Sequence, residues 1–273
     1  MPRSTLSVAI ITLNEAENLP RTLASIAFAD EIVIVDSSST DGTVDIATRA
    51  GAKVFVEPWK GFALQKNSAI DKCTSTWVLS LDADEELTAE LQAEIRRMLE
   101  TDGQTSPPVD GYRLRLRHVF LGRWMRYGGY YPDLKLRLFR RMTSSAPAHF
   151  TVRPVHESVQ VAGRVETMQN DFLHHGYPQL DLYLEHMNRY SSLGARLLAE
   201  KGRTSRSWAA FFWNTTLVPL LTFVWNYVFR LGFLDGREGL LLHLYHSGYI
   251  SWKYAKAWQI GKTSITKTTS GRE

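Results

Sequence analysis

Apolar runs broken by polar clusters set the rhythm of the first hundred residues. LSVAIITL (6–13) is a β-branched run of strand length, and NLPRTLASIAF (18–28) spaces its apolar positions for a helix. EIVIVD (31–36) reads as the next strand; SSSTDGTVDIATRAG then opens with helix-capping residues and closes on Gly51, suited to the position after a helix end. AKVFVE (52–57) gives a third strand, 62–73 a helix, and TWVLSLD (76–82) a fourth strand. ELTAELQAEIRRMLE (86–100) predicts a helix with Thr88 as N-cap and apolar positions at 91, 95, 98 and 99.

Strands apolar along their whole length and separated by helices imply an α/β fold, a Rossmann-like, mostly parallel sheet with helices on both faces. Such sheets bind ligands beyond the carboxyl ends of their strands. Three of those ends carry polar clusters: Thr12, Asn14 and Glu15; Asp36 to Asp41; and Asp82 to Glu86. All three are expected to line one crevice. After the linker TDGQTSPPVD (101–110) the character changes: residues 111–141 hold nine Arg and Lys against one acid, with GYRLRLRHVF and LKLRLFRR patterned as strands. Residues 179–202 read as an amphipathic helix and 207–258 as two apolar helices joined around GFLDGREG. The expected organisation is one α/β domain over 1–178, in two halves (1–100 and 110–178), followed by a helical region over 179–273.

Charge sharpens the last of these. The net charge of +4 divides into 22 basic against 25 acidic residues over 1–200, and 10 against 3 over 201–273. The basic tail also holds 208–229, 22 residues without a charge and eight of them aromatic, flanked by Arg203, Arg206 and Arg230. An aromatic run with basic flanks suits a membrane interface. The aromatics are not interleaved with the basic residues, so nucleic acid is not expected as a partner. Cys73 is the only cysteine, which leaves no disulfide framework and no thiolate zinc site. With no signal peptide read at the N-terminus, the expected location is the cytoplasm, peripheral on the inner face of the membrane.

Asp82 and Asp84, two residues apart at a strand end, can direct oxygen ligands at one hard divalent cation. They equally suit the acidic start of a following helix, and the four acids of DADEE alone do not separate the two. DSSSTDGT (36–43) offers hydroxyls and carboxylates for a ribose or base edge, or an ordinary capped turn. Lys66 could reach a diphosphate or simply face solvent.

Together, TLNE, the strand ending in DSSSTDGT and the strand ending in DADE, in that order within 85 residues, resemble family 2 glycosyltransferases of the GT-A fold. QKN (65–67), DADEEL, LKLRLFRR and VHE (155–157) are more closely similar to bacterial enzymes that extend the lipopolysaccharide inner core, of the β-1,4-glucosyltransferase type. The resemblance implies roles for particular residues. Thr12, Asn14 and Glu15 match the first nucleotide-contacting segment, Asp36 the carboxylate that reads base or ribose, and Lys66 the basic residue near the diphosphate. Asp82 and Asp84 match the DxD motif, Asp84 as direct ligand of Mg²⁺ or Mn²⁺. Where the family often has DDGS, this chain has Asp36 followed by Ser37, Ser38 and Ser39, so a second acidic base contact is missing.

Inverting transfer needs a general base for the acceptor hydroxyl. Glu157 is the candidate, with His156 beside it to orient the carboxylate or to meet the acceptor. His174 and His175 either complete a metal shell or form a structural pair. Arg113, Arg115, Arg117, Arg123, Arg126, Arg137, Arg140 and Arg141 would suit a phosphorylated, lipid-linked glycan acceptor, because guanidinium binds phosphate bidentately. The reading is an inverting transferase moving a hexose, glucose in the closest resemblance, from a nucleotide sugar such as a UDP-sugar. A nucleotidyltransferase is the enzymatic alternative, although TLNEAEN lacks the glycines and basic residues of a phosphate loop. A catalytically silent sugar-nucleotide-binding scaffold is the non-enzymatic one.

Overall fold

The computed structural model describes residues 3–104, 108–143, 147–151 and 158–269. They fall into two compact units: Met1–Arg117 with Pro132–Gly176, and His118–Tyr131 with Tyr177–Glu273.

The first unit opens with β1 (Leu6–Thr12), α1 (Leu19–Ser25), β2 (Glu31–Asp36), α2 (Thr43–Arg49), β3 (Lys53–Val56), α3 (Phe62–Asp71) and β4 (Trp77–Asp82). These four strands are mutually parallel in the order β3-β2-β1-β4. Their apolar runs are continuous because both faces are covered. Leu6, Val8 and Ile10 of β1 and Trp77, Leu79 and Leu81 of β4 pack toward Leu19 and Leu23 of α1. Ala9, Val33, Val35 and Val78 point the other way, onto Ala63, Ala69 and Ile70 of α3. A strand buried on both sides needs no polar alternation.

Beyond β4 the sheet turns antiparallel. β5 (Glu85–Leu87), α4 (Ala89–Thr101), β6 (Gly111–Phe120), β7 (Arg123–Trp124), β8 (Asp133–Arg140) and β11 (Val165–Tyr177) follow, and the order continues β4-β8-β6-β11-β5. β8 is antiparallel to β4 and β5 to β11. A two-stranded sheet pairs β9 (His149–Phe150) with β10 (Val159–Gln160). Thr88 caps α4, its hydroxyl accepting from Leu91 N at 3.2 Å, and Leu91, Ile95 and Leu99 face the core.

The second unit joins the His118–Tyr131 segment, where β7 pairs with Val119 and Phe120, to three helical stretches. They are α5 (Leu180–Glu200), a helix over Trp208–Phe229 and a C-terminal helix over Gly236–Thr269. Asp235, buried, accepts from the Arg126 and Tyr127 amides at 3.2 and 2.9 Å. Gly128, at φ +68°, approaches the His243 ring so closely that a Cβ there would lie 2.0 Å from Nε2. The Trp208–Phe229 helix contains two π-helical turns, Trp213–Leu217 and Trp225–Phe229. Pro219 has no N–H to offer the Thr215 carbonyl four residues earlier; that oxygen accepts from the Ser251 hydroxyl at 2.7 Å.

Candidate functional site

The carboxyl ends of β1, β2 and β4 gather the three polar clusters. At the first two, loops 12–16 and 36–43 are zipped together. Ser37 N donates to Thr12 O at 2.8 Å, Asn14 N to the Ser39 hydroxyl at 2.8 Å, Thr40 N to Asn14 Oδ1 at 2.8 Å and Glu15 N to the Thr43 hydroxyl at 2.8 Å. Asn14 and Ser38 take left-handed backbone, φ +56° and +66°, which Asn tolerates because its short amide bonds locally. Asp36 is wholly buried. Its carboxylate accepts from the Thr12 hydroxyl at 2.7 Å and from Ser39 N and hydroxyl at 2.7 and 2.6 Å. Its oxygens shape the loop, in which Ser38, Thr40 and Asp41 are exposed.

Every acid of DADEE has a cationic or histidine partner. Asp82 is bridged by two cations, Lys66 Nζ at 2.7 Å and Arg137 Nη2 at 2.8 Å. Arg137 also reaches Glu85 Oε1 at 2.5 Å, and Glu85 Oε2 accepts from Asp82 N at 2.9 Å. Asp84 pairs with His174 Nε2 at 3.1 Å, and Glu86 with His175 Nε2 at 2.9 Å and Arg21 at 3.7 Å. The pairing follows from β5, a strand hidden in the acidic turn: it sets Glu85 opposite His174 on β11 and turns Glu86 to the other face. The Thr22 hydroxyl holds the turn by donating to Ala83 O at 2.6 Å. The acids are therefore not the dipole-complementing start of a helix; α4 begins only at Ala89.

The electrostatics follow. Burial opposes ionisation of Asp82, yet Lys66 and Arg137 hold its carboxyl far below the usual range. Burial pushes Glu85 up to about 6, with Arg137 opposing and the Asp82 charge adding to the shift. For His174 burial disfavours the cation, but Asp84 beside it, with Glu85 and Asp82, raises it to about 9. Glu15 is raised by burial, against its bond from Asn18 Nδ2 and helped by the charges of Asp84, Asp41 and Asp82.

Arg137 is positioned by the acidic turn. Its guanidinium is buried among carboxylates, not exposed to an acceptor. Three other arginines of this unit also have partners: Arg115 bonds Gln169 at 3.0 Å, Arg117 pairs with Asp171 at 2.5 Å and Arg140 with Asp102. Glu85 and Arg21 are the residues the sequence reading missed; the lone basic residue inside LRLF was the signal for a buried partner. Glu157 and His156 lie outside the described residues.

Among the described residues no group of three or more His, Cys, Asp and Glu is arranged to hold a metal. Asp84 offers carboxylate oxygens and His174 a ring nitrogen once it loses the proton its carboxylate neighbours favour, and an octahedral divalent ion that completes its shell with phosphate oxygens and water asks for no more from the protein. The donor set fits an ion delivered with a diphosphate.

Sequence comparison agrees with this geometry. Residues 7–153 match the model of glycosyl transferase family 2, and the chain belongs to that family; its fold is GT-A-like, with a helical C-terminal region. A lipopolysaccharide core biosynthesis glycosyltransferase, LpsC, of Rhizobium meliloti is 32% identical over 78% of this chain and 78% of its own. An uncharacterized glycosyltransferase of Rickettsia felis is 32% identical over 72% and 71%. The Pyrobaculum calidifontis mannosyltransferase PcManGT, solved with GDP-Man and Mn²⁺, shares the fold at TM-score 0.50 and 14% identity, over 94% of this chain and 88% of its own.

Proposed function

We propose that this glycosyltransferase is an inverting hexosyltransferase. It moves glucose from a UDP-sugar to a lipid-linked, phosphorylated acceptor such as the lipopolysaccharide inner core, at the cytoplasmic face of the inner membrane. The observation that carries the reading is the Lys66–Asp82–Arg137 bridge beside the Asp84–His174 pair, at the strand ends next to a hydroxyl-lined loop. The LpsC relative supports the acceptor class.

Thr12, Asn14, Glu15 and the Ser37–Thr40 loop form the nucleoside side of the crevice, with Asp36 holding that loop in shape. Lys66 and Arg137 are cations already oriented by Asp82, so a diphosphate entering beside them meets fixed positive charge that needs little reorganisation. Asp84 would hold Mg²⁺ or Mn²⁺, with His174 joining it as a neutral imidazole, and the ion would supply Lewis-acid stabilisation of the leaving diphosphate. Glu157 takes the proton as the acceptor oxygen bonds to the anomeric carbon. The carbon–oxygen bond to the diphosphate breaks on the opposite face and the configuration inverts; His156 orients Glu157.

The Trp208–Phe229 helix is the proposed membrane contact. Among the described residues it is the one helix long and apolar enough to cross a membrane, and only 6% of its apolar window is buried. Its eight aromatics and its Asn and Thr residues favour an interfacial position over a spanning one.

The test is a screen of nucleotide sugars for slow hydrolysis by the full chain with and without Mg²⁺ or Mn²⁺, then transfer to a core oligosaccharide with NMR assignment of the product anomer. Cleavage of UDP-glucose above other donors and an inverted product are expected. Retention of configuration, or no cleavage of any donor, overturns the reading.

A further inference from the structure

Exposed apolar side chains are unevenly distributed in the first unit. Of its eight exposed large hydrophobic residues among the described residues, six, Leu13, Phe55, Val56, Trp59, Phe62 and Leu64, stand at the carboxyl edge of β1 and β3, on the loop that follows β3, or in the first turn of α3. Val56 is 59% exposed, Leu13 50%, Trp59 48% and Phe62 47%. Scattered surface leucines need no explanation, whereas a concentration on one edge marks an interaction site.

The loop is built to hold them out. Gly61, at φ +91°, makes the turn, and Trp59 and Phe62 meet edge to face with ring centres 4.8 Å apart, a geometry that stiffens the pair. Its charges are matched internally: Glu57 takes Lys60 at 2.8 Å and Lys72 at 2.7 Å. The loop also adjoins the candidate site, since Glu57 N donates to Asp36 O at 2.9 Å and Gln65 Nε2 to the Ser37 hydroxyl at 3.2 Å.

We propose that this rim is a membrane-contacting edge of the catalytic unit, with Trp59 and Phe62 entering the lipid interface beside the crevice. Half of the six side chains are aliphatic, giving apolar area without the flat faces or hydrogen-bonding groups that hold a sugar ring. Trp and Phe beside aliphatics, with no unmatched carboxylate, suit a lipid interface. The contact goes beyond the one proposed for the Trp208–Phe229 helix, lies in the other unit, and is testable without knowing the acceptor.

Cys73 is 3% exposed, and burial pushes its thiol up to about 12, so a cysteine introduced at the surface takes a label selectively. Full-length Trp59→Cys and, separately, Trp208→Cys carry an environment-sensitive fluorophore and are mixed with vesicles of phosphatidylcholine containing a minority of phosphatidylglycerol. A blue shift at position 59, quenched by spin-labelled lipid, is expected. The double variant W59S/F62S should bind the vesicles at least about tenfold more weakly, the scale of losing two buried aromatic side chains in part, with UDP binding and thermal melting unchanged. A response at 208 without one at 59 overturns the rim and spares the helix; a response at 59 alone does the reverse. A shift at 59 driven by protein concentration without lipid assigns the rim to self-association, and one driven by a deacylated oligosaccharide assigns it to a sugar. Either result overturns the proposal.

Discussion

The two edges of the parallel sheet each bury a carboxylate, and they use it differently. At the amino edge Glu31 accepts from Lys53 Nζ at 2.7 Å, from Thr74 N and hydroxyl at 2.8 and 3.1 Å and from the Ser7 hydroxyl. One charge meets one ammonium and a set of neutral donors, including a backbone amide. At the carboxyl edge Asp82 and Glu85 instead share Arg137, Asp82 adds Lys66, and Asp84 and Glu86 each have a histidine. Backbone donors fix a carboxylate in place, whereas cationic side chains can be shared with an arriving anion. The amino edge also borders a cavity of about 900 Å³, lined by Thr5, Leu23, Ala27, Glu31, Arg49 and Lys53.

Four substitutions test that contrast. Arg137→Ala leaves Glu85 without a cation and Asp82 with one fewer; the expected loss is about 3–5 kcal/mol in urea unfolding, the scale for breaking a buried pair from one side. A loss below about 1 kcal/mol would show that the carboxyl-edge network is not structural. Asp84→Ala should fold normally and lower metal-stimulated transfer about a thousandfold, equivalent to about 4 kcal/mol of charge stabilisation. Excess chelator should have a similar effect on the unsubstituted enzyme, and full turnover in either case removes the metal assignment. Glu157→Gln should bind UDP unchanged and transfer sugar about a hundredfold more slowly, the lower end for a general base.

The smallest effect is expected at the amino edge. Burial opposes ionisation of Glu31, but its bonds from Lys53, Ser7 and Thr74 outweigh it and lower the carboxyl to about 2. A carboxyl depressed on folding gives stability that is present above the ordinary carboxylate range and lost as pH falls toward 2. The stability gap between the native chain and Glu31→Gln should therefore be constant near neutrality and shrink from about pH 4.5 downward. A gap independent of pH through that window would mean that Glu31 acts by shape rather than charge.

The parallel half of the sheet was legible because continuous apolar runs need two covered faces, and Thr88 was legible as a cap because α4 starts one residue later. β5 was not, since a three-residue strand carrying two glutamates looks like a turn until β11 is beside it. β11 itself, VETMQNDFLHHGY, mixes buried Met168, Asp171 and Phe172 with half-exposed polar residues and has no clean period. Asp82 and Lys66 were legible as individual residues, but their bond was not, because it depends on α3 and β4 meeting in space. Asp36 shows the converse: its position was readable, while its burial comes from the Thr12 and Ser39 bonds.

The Ser251 hydroxyl on the Thr215 carbonyl bears on solvent rather than on chemistry. A backbone oxygen that has lost its usual helical donor ordinarily depends on water, and in hydrocarbon such a group costs several kcal/mol. Here the partner is supplied by the chain itself, so at its proline the aromatic helix has the same hydrogen bond whether its surroundings are wet or oily. Ser251→Ala would remove that internal donor and leave the Thr215 oxygen to its own helix and its surroundings.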